Sequence, residues 1–364
     1  MNTETPRVFI AATRQNDGKT TTSLGLMAAL GERFARVGYI KPVGQRFVEI
    51  AEQKIDEDTV LMDQVYHLNC PLGEMSPIAI EPDFTRKYLE SSNYDTLVRK
   101  IQTAFDRVAW EKDFVLCEGS GHAGVGSVFD LSNARVAKLL GAKVVIVSQG
   151  GIGRPIDEVC LNQALFEKEG VEVIGVIINK VMQDKLEYVT DFVRRGLKRK
   201  GLELLGVLPH QRILSSPSMD LIREELDAEP LNQSLQTNNL VEDVVLGAMG
   251  VNNTMAHLKP GVLLITSVDR EDIVLAAATT QMGRPENGLA GLILTGEQGP
   301  PQNILKVVKE IPYPVLLART SSYRATSRVH DIIVKTRPGD SQKIALIRDL
   351  IHRNISVDRI ISRL

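Results

Sequence analysis

No stretch of this sequence approaches the ~18 consecutive apolar residues of a membrane-spanning helix. Its polar start, MNTETPRVFIAA, runs straight into an apolar strand, without the apolar core of a leader peptide. A cytoplasmic protein with no membrane partner is expected. Cysteine is scarce: Cys70, Cys117 and Cys160 are odd in number, far apart and free of CxxC or Cys/His spacing. That excludes a disulfide framework and a zinc site and fits a reducing compartment. Charge of one sign is lacking too, since the formal net charge is −2 and no long run of like charges occurs, which excludes a nucleic-acid partner. Aromatic residues make up 5% against 43% hydrophobic, so the core must be mostly aliphatic. None of the histidines shows metal-ligand spacing, and His122 is read as a loop hydrogen-bonder.

What is present is alternation. Short apolar runs at 7–12, 37–43, 113–118, 143–148, 173–179 and 204–209 are separated by amphipathic stretches at 20–34, 94–109, 131–140, 157–169 and 185–198. The pattern predicts an α/β fold: a doubly wound, mostly parallel sheet with helices on both faces. A chain of 364 residues exceeds the ~250–300 at which single cores stop growing, so two domains are expected. Pro209 closes the last of these strands, Ser215-Ser216-Pro217 opens a new helix, and a polar segment at 232–239 follows. The boundary falls near 211. Beyond it, strands at 244–249, 261–266, 290–294 and 315–318 alternate with helices beginning near Asp269, Pro301, Ser322 and Ser341. Residues 1–211 are thus read as one domain, and 212–364 as a second, smaller α/β domain with a C-terminal helical extension.

Between the first strand and the first helix lies T-R-Q-N-D-G-K-T, residues 13–20. A loop of the form G-x-x-x-x-G-K-[ST] curls backbone N–H groups around phosphates, while its lysine neutralises them and its hydroxyl ligates magnesium. Thr13 replaces the first glycine, but strand, spacing and helix are in place. Thr13, Asn16, Asp17, Gly18, Lys19, Thr20 and Thr21 are the expected nucleotide contacts, with Mg-ATP as ligand. Magnesium needs one or two carboxylates beside Thr20. Glu118, at the end of its strand, is the first choice, and the run Asp56-Glu57-Asp58 offers a second without deciding which member. Asn179 ends another strand and is read either as a contact to a base edge or as a cap.

Three segments, A-T-R-Q-N-D-G-K-T (12–20), G-Y-I-K-P-V-G-Q (38–45) and F-V-L-C-E-G-S-G (114–121), resemble dethiobiotin synthetase and its P-loop relatives. With H-A-G-V-G-S-V-F-D-L-S-N-A (122–134), G-V-I-I-N-K-V (175–181) and L-L-G-V-L-P (204–209), residues 5–211 look closer still to the N-terminal domain of long phosphate acetyltransferases. I-T-S-V-D-R-E-D-I-V-L-A-A (265–277) and A-G-L-I-L-T-G (290–296) resemble the DRTGG domain that follows it there, over about 212–335. The resemblance implies Lys19 on the phosphates, Thr20, Asp58 and Glu118 around magnesium, Lys41 facing the reacting group, and Asn179 at the adenine. It implies a homodimer or higher oligomer. Two departures stand out. Glu297 replaces the last glycine of the DRTGG signature, and the 364 residues leave no room for the acetyltransferase domain, so acetyl phosphate synthesis is not expected.

Three functions remain in play. One is a regulatory Mg-ATP-binding protein, with possible slow hydrolysis, whose DRTGG-like domain senses or transmits the nucleotide state. Another is an ATP-dependent ligase that activates a carboxylate or carbamate, with Lys19 and Lys41 as catalytic lysines. The last is a non-enzymatic scaffold that binds a protein partner through the DRTGG-like domain. Arg14, one residue into the loop, is read either as a solvated side chain or as one reaching a second subunit's phosphates.

Overall fold

The computed structural model describes residues 2–234, 238–279 and 288–364, so part of the polar segment at 232–239 lies outside the described residues. The chain forms two compact units: Met1–His210 together with Thr336–Leu364, and Gln211–Lys335. Among the described residues no helix is long and apolar enough to cross a membrane.

The first unit is built on six strands, β1 (Arg7–Ala12), β2 (Val37–Ile40), β3 (Phe114–Glu118), β4 (Lys143–Gln149), β5 (Val173–Val181) and β6 (Leu204–Pro209). They lie side by side as β6-β5-β4-β1-β3-β2, and every pair is parallel. Burial on both faces explains the unbroken apolar runs; all six residues of β1 are buried. The chain leaves β1 toward β2 on one side and leaves β3 toward β4 on the other. Adjacent strands with opposed exits form a switch point, and ligands bind outside their carboxyl ends. The loop at 13–18 and Glu118 both occupy that place.

Helix α1 (Lys19–Gly31) follows the loop and α2 (Glu57–Tyr66) follows a hairpin at 47–50 and 53–56. The hairpin turns on Ala51 and Glu52, with φ of 47° and 63°, the two-residue geometry usually given to Asn-Gly. Asp56 ends the hairpin and caps α2, its side chain accepting from the Asp58 N–H. Helix α3 (Tyr94–Ala109) buries Leu97, Ile101, Ala104, Phe105 and Val108 at the spacing of one helix face.

The second unit has a five-stranded sheet: β7 (Glu229–Pro230), β8 (Asp243–Leu246), β9 (Val262–Ser267), β10 (Gly291–Thr295) and β11 (Val315–Ala318), in the order β7-β11-β10-β9-β8. Only β7 runs antiparallel. Successive residues feed two cores: Leu264, Leu292 and Leu294 pack on one face, Leu263, Ile265 and Ile293 on the other.

The C-terminal segment departs from expectation. Helices α4 (Ser341–Asn354) and α5 (Val357–Ile361) were expected with the second domain, yet they pack within the first unit. Ile347, Ile351, Val357 and Ile360 are buried there, each worth about 1.5–3 kcal/mol at most. Their spacing marks an amphipathic helix but does not name the surface it covers.

Candidate nucleotide site

The loop between β1 and α1 is held from below by side chains. Gly18 has φ 102°, and a Cβ there would lie 2.0 Å from Asn179 Nδ2, so only glycine fits. Thr13, in the place of the usual glycine, donates from Oγ1 to Asp17 Oδ2 at 2.6 Å and lies 3.0 Å from Ser148 Oγ. The Asp17 carboxylate also accepts from the Arg14 N–H at 2.7 Å, closing the turn. Asn179 donates to the Asp17 carbonyl at 2.8 Å and accepts from the Lys180 N–H, while Lys180 Nζ donates to the Asn16 carbonyl at 2.7 Å. In this structure Asn179 braces the loop. Arg14 pairs with Glu158 of the same chain, which also pairs with Arg154 at 2.7 Å.

Lys19 opens α1 and is buried. Burial lowers its pKa to about 8; Glu118 opposes this and Lys41 adds to it. Thr20 Oγ1 donates to Glu118 Oε1 at 2.9 Å, and Tyr39 OH donates to Glu118 Oε2 at 3.2 Å. Glu118 is fully buried, and burial raises its pKa. Lys41 forms ion pairs with Asp58 and, at 3.1 Å, with Asp56 Oδ1, and lies 3.9 Å from Glu118 Oε1. Burial alone would lower Lys41, but Asp58, Asp56 and Glu118 together lift it above the usual lysine value. Burial raises Asp56, and Lys41 opposes that rise. Asp17 is also raised by burial.

Thr20, Lys41, Asp58 and Glu118, scattered over four segments of the sequence, thus meet beside Lys19. Asp56 joins them on Lys41 while serving as the α2 cap. Sequence reasoning did not single out Tyr39, Ser148 or Lys180; only Lys180 carried a signal, as the neighbour of Asn179. Among the described residues, no group of three or more His, Cys, Asp and Glu is disposed to hold a metal by itself. The donor set is hard oxygen throughout, which suits a magnesium ion that keeps waters and phosphate oxygens as its other ligands. Thr20, Glu118 and Asp58 are the residues that would hold it.

The loop at 119–134 is built around Asn133. Its Oδ1 accepts from the Ser120 N–H at 3.0 Å and its Nδ2 donates to the Ser120 and His122 carbonyls at 2.6 Å each. His122 Nδ1 accepts from the Gly124 N–H at 3.2 Å, a loop contact as expected. In the second unit Arg270 pairs with Asp272 at 2.9 Å rather than with Asp269, whose carboxylate faces Ser267. The Glu297 carbonyl accepts from Arg319 at 2.8 Å.

A parallel sheet whose switch point carries a strand, a glycine-lysine-threonine loop and a helix defines the class: a P-loop nucleotide-binding protein. The chain belongs to the AAA domain family, which it matches over residues 6–218, and it carries a DRTGG domain over 221–332. It is 29% identical over 368 residues to a phosphate acetyltransferase of Pseudomonas aeruginosa, covering 96% of this chain and 51% of that one. It is 25% identical over 367 residues to the Nitratidesulfovibrio vulgaris phosphate acetyltransferase, covering 98% and 51%. The chain thus spans about half the length of these relatives. The MinC:MinD cell division protein complex of Aquifex aeolicus shows a loose likeness, with a TM-score of 0.36 and 14% identity over 57% of this chain and 83% of that one. At that score it adds nothing to the topology described above.

Proposed function

We propose that the chain binds Mg-ATP on the loop at 13–20 and works as a nucleotide-responsive regulatory protein whose DRTGG domain passes the state on. One observation carries this reading. A buried lysine, Lys19, stands at the start of a helix beneath a braced loop, next to a threonine–glutamate pair, and burying that charge is costly unless an anion meets it. Phosphate is such an anion, and the loop's N–H groups and the α1 N-terminus add to its attraction.

In this reading Lys19 and the backbone of 13–20 hold the phosphates. A magnesium ion on Thr20, Asp58 and Glu118 would spread the phosphate charge. Lys41 acts as the standing counter-ion of Asp56, Asp58 and Glu118, which explains why three carboxylates can be buried together. Homo-oligomer formation, a protein partner of the DRTGG domain and a cytoplasmic location belong to the same proposal.

Native mass spectrometry with and without Mg-ATP, combined with ADP detection, tests it. Nucleotide should bind wild type, shift its oligomeric state and yield at most slow ADP release, and Lys19→Ala should lose all three. Equal binding by Lys19→Ala would overturn the reading. ADP release that depends on an added carboxylate or amine would establish a ligase instead.

A further inference from the structure

The two helices that carry site residues at their starts are gripped at their far ends by one element. Helix α1 begins with Lys19 and Thr20, and α2 begins with Glu57 and Asp58. In the middle of α1, a Cβ on Gly25 would lie 2.2 Å from Ile351 Cγ1 and 3.1 Å from the Ile347 carbonyl oxygen, so a glycine lets α4 cross there. Just beyond the end of α1, Arg33 makes two bonds to the Asp358 carboxylate, at 2.6 and 3.2 Å. At the end of α2, Tyr66 donates to the Leu24 carbonyl of α1, and its ring lies 5.2 Å beneath the Arg348 guanidinium of α4.

The same segment closes the sheet edge. Gly206 of β6 bridges Ile355, and a Cβ on Gly206 would lie 2.2 Å from the Asn354 carbonyl oxygen. Lys143 at the start of β4 donates to the Arg363 carbonyl at 2.7 Å, and Arg363 pairs with Glu203. This is a built strap that spans both site-bearing helices and one edge of the sheet.

Connectivity gives the strap a use. Residues 211–335 form the second unit, and the chain re-enters the first unit only through residue 336. The inserted unit is therefore tied at one end to β6 and at the other to the strap. We propose that the segment 336–364 couples the inserted DRTGG unit to the nucleotide site, by setting how firmly α1 and α2 are held behind Lys19 and Asp58. The proposal rests on the nucleotide-binding reading above. It adds a route and a direction: nucleotide tightens the strap, and a tighter strap favours nucleotide, since coupling between two sites is reciprocal.

Hydrogen exchange on the full chain, with and without Mg-ADP, tests it in wild type, Gly25→Ala and Arg348→Ala. In wild type, Mg-ADP should slow exchange at 13–20 and at 341–354, and change it within 211–335. Both variants should weaken Mg-ADP binding by roughly fivefold or more and lose the response within 211–335. Arg348→Ala, which removes only a half-solvated contact, decides the matter if Gly25→Ala folds poorly. Protection at 13–20 with no change at 341–354 or 211–335 would overturn the coupling and leave nucleotide binding standing. Variants that loosen 341–354 yet bind within about twofold of wild type would overturn it as well. No protection at 13–20 would sink both.

Discussion

Asn179 donates from Nδ2 to the Asp17 carbonyl at 2.8 Å, so the end of β5 is stitched to the middle of the phosphate loop. The bond holds the Asp17 carbonyl, and with it the backbone of the loop, in one orientation. Asn179→Ala should weaken Mg-ADP binding about 5- to 10-fold, the size of one buried hydrogen bond. Gly18→Ala, which meets both the positive φ and Asn179, should abolish it. Calorimetry on the two variants checks the order; equal losses would count against the brace.

Thr13 offers a test in the opposite sense. Thr13→Gly restores the usual glycine of such loops but removes the Oγ1 contacts to Asp17 and Ser148. The variant should be less stable by about 1–2 kcal/mol, from the lost bond and the added chain entropy. Its nucleotide affinity should not rise. A higher melting temperature than wild type would show that the threonine is no part of the loop's support.

Lys19 gives a pH dependence. With its pKa lowered to about 8, Lys19 in the free protein is half deprotonated near that pH and loses the rest of its charge as pH rises further. Bound phosphate restores the charge, so binding near pH 8 should take up about half a proton from Lys19. Titrations in buffers of different ionisation enthalpy measure the uptake, and Lys19→Ala should lack it. Folding shows the other face of the same shift. The unfolded chain holds this proton up to the usual lysine value and the folded one only to about 8, so Lys19 disfavours folding below 8, and that penalty is relieved as pH rises above it.

Lys41→Met leaves Asp56, Asp58 and Glu118 buried without their counter-ion. The expected cost is about 3–5 kcal/mol near neutral pH, read as a drop in melting temperature. The sign with pH is fixed by Asp56 and Glu118, whose folded pKa values lie above the usual carboxylate range. The folded variant binds protons more readily than the unfolded chain, so its deficit should shrink as pH falls from 8 toward 5. A deficit that grows on acidification would contradict the counter-ion role.

Period and punctuation made most of the fold readable. The expected runs at 7–12, 113–118, 143–148, 173–179 and 204–209 match the observed strands to within two residues, because strands buried on both faces must be apolar throughout. The run at 37–43 was read too long, since the central-sheet strand ends at Ile40 and Val43–Gly44 pairs with Ile78–Ala79 instead. That Lys19, Thr20 and Glu118 come together was legible, because the loop after β1 and the end of β3 meet at the carboxyl edge of two adjacent strands. Lys41 and Asp58 needed the family resemblance, since no local pattern links a lysine after β2 to an aspartate opening α2. The destination of α4 was not legible at all. Ile344, Ile347 and Ile351 announce a buried face, but its partner is Gly25, more than three hundred residues away, and a glycine advertises nothing about what will lie against it.

Calorimetric titration of Mg-ADP into wild type and Lys19→Ala, with melting curves of both to show that each is folded, bears most directly on the central claim. Wild type should bind at one site per chain. Folded Lys19→Ala should bind at least tenfold more weakly, a loss of about 1.4 kcal/mol or more. Binding by neither protein, or by both alike, would contradict the assignment of residues 13–20 as the phosphate loop.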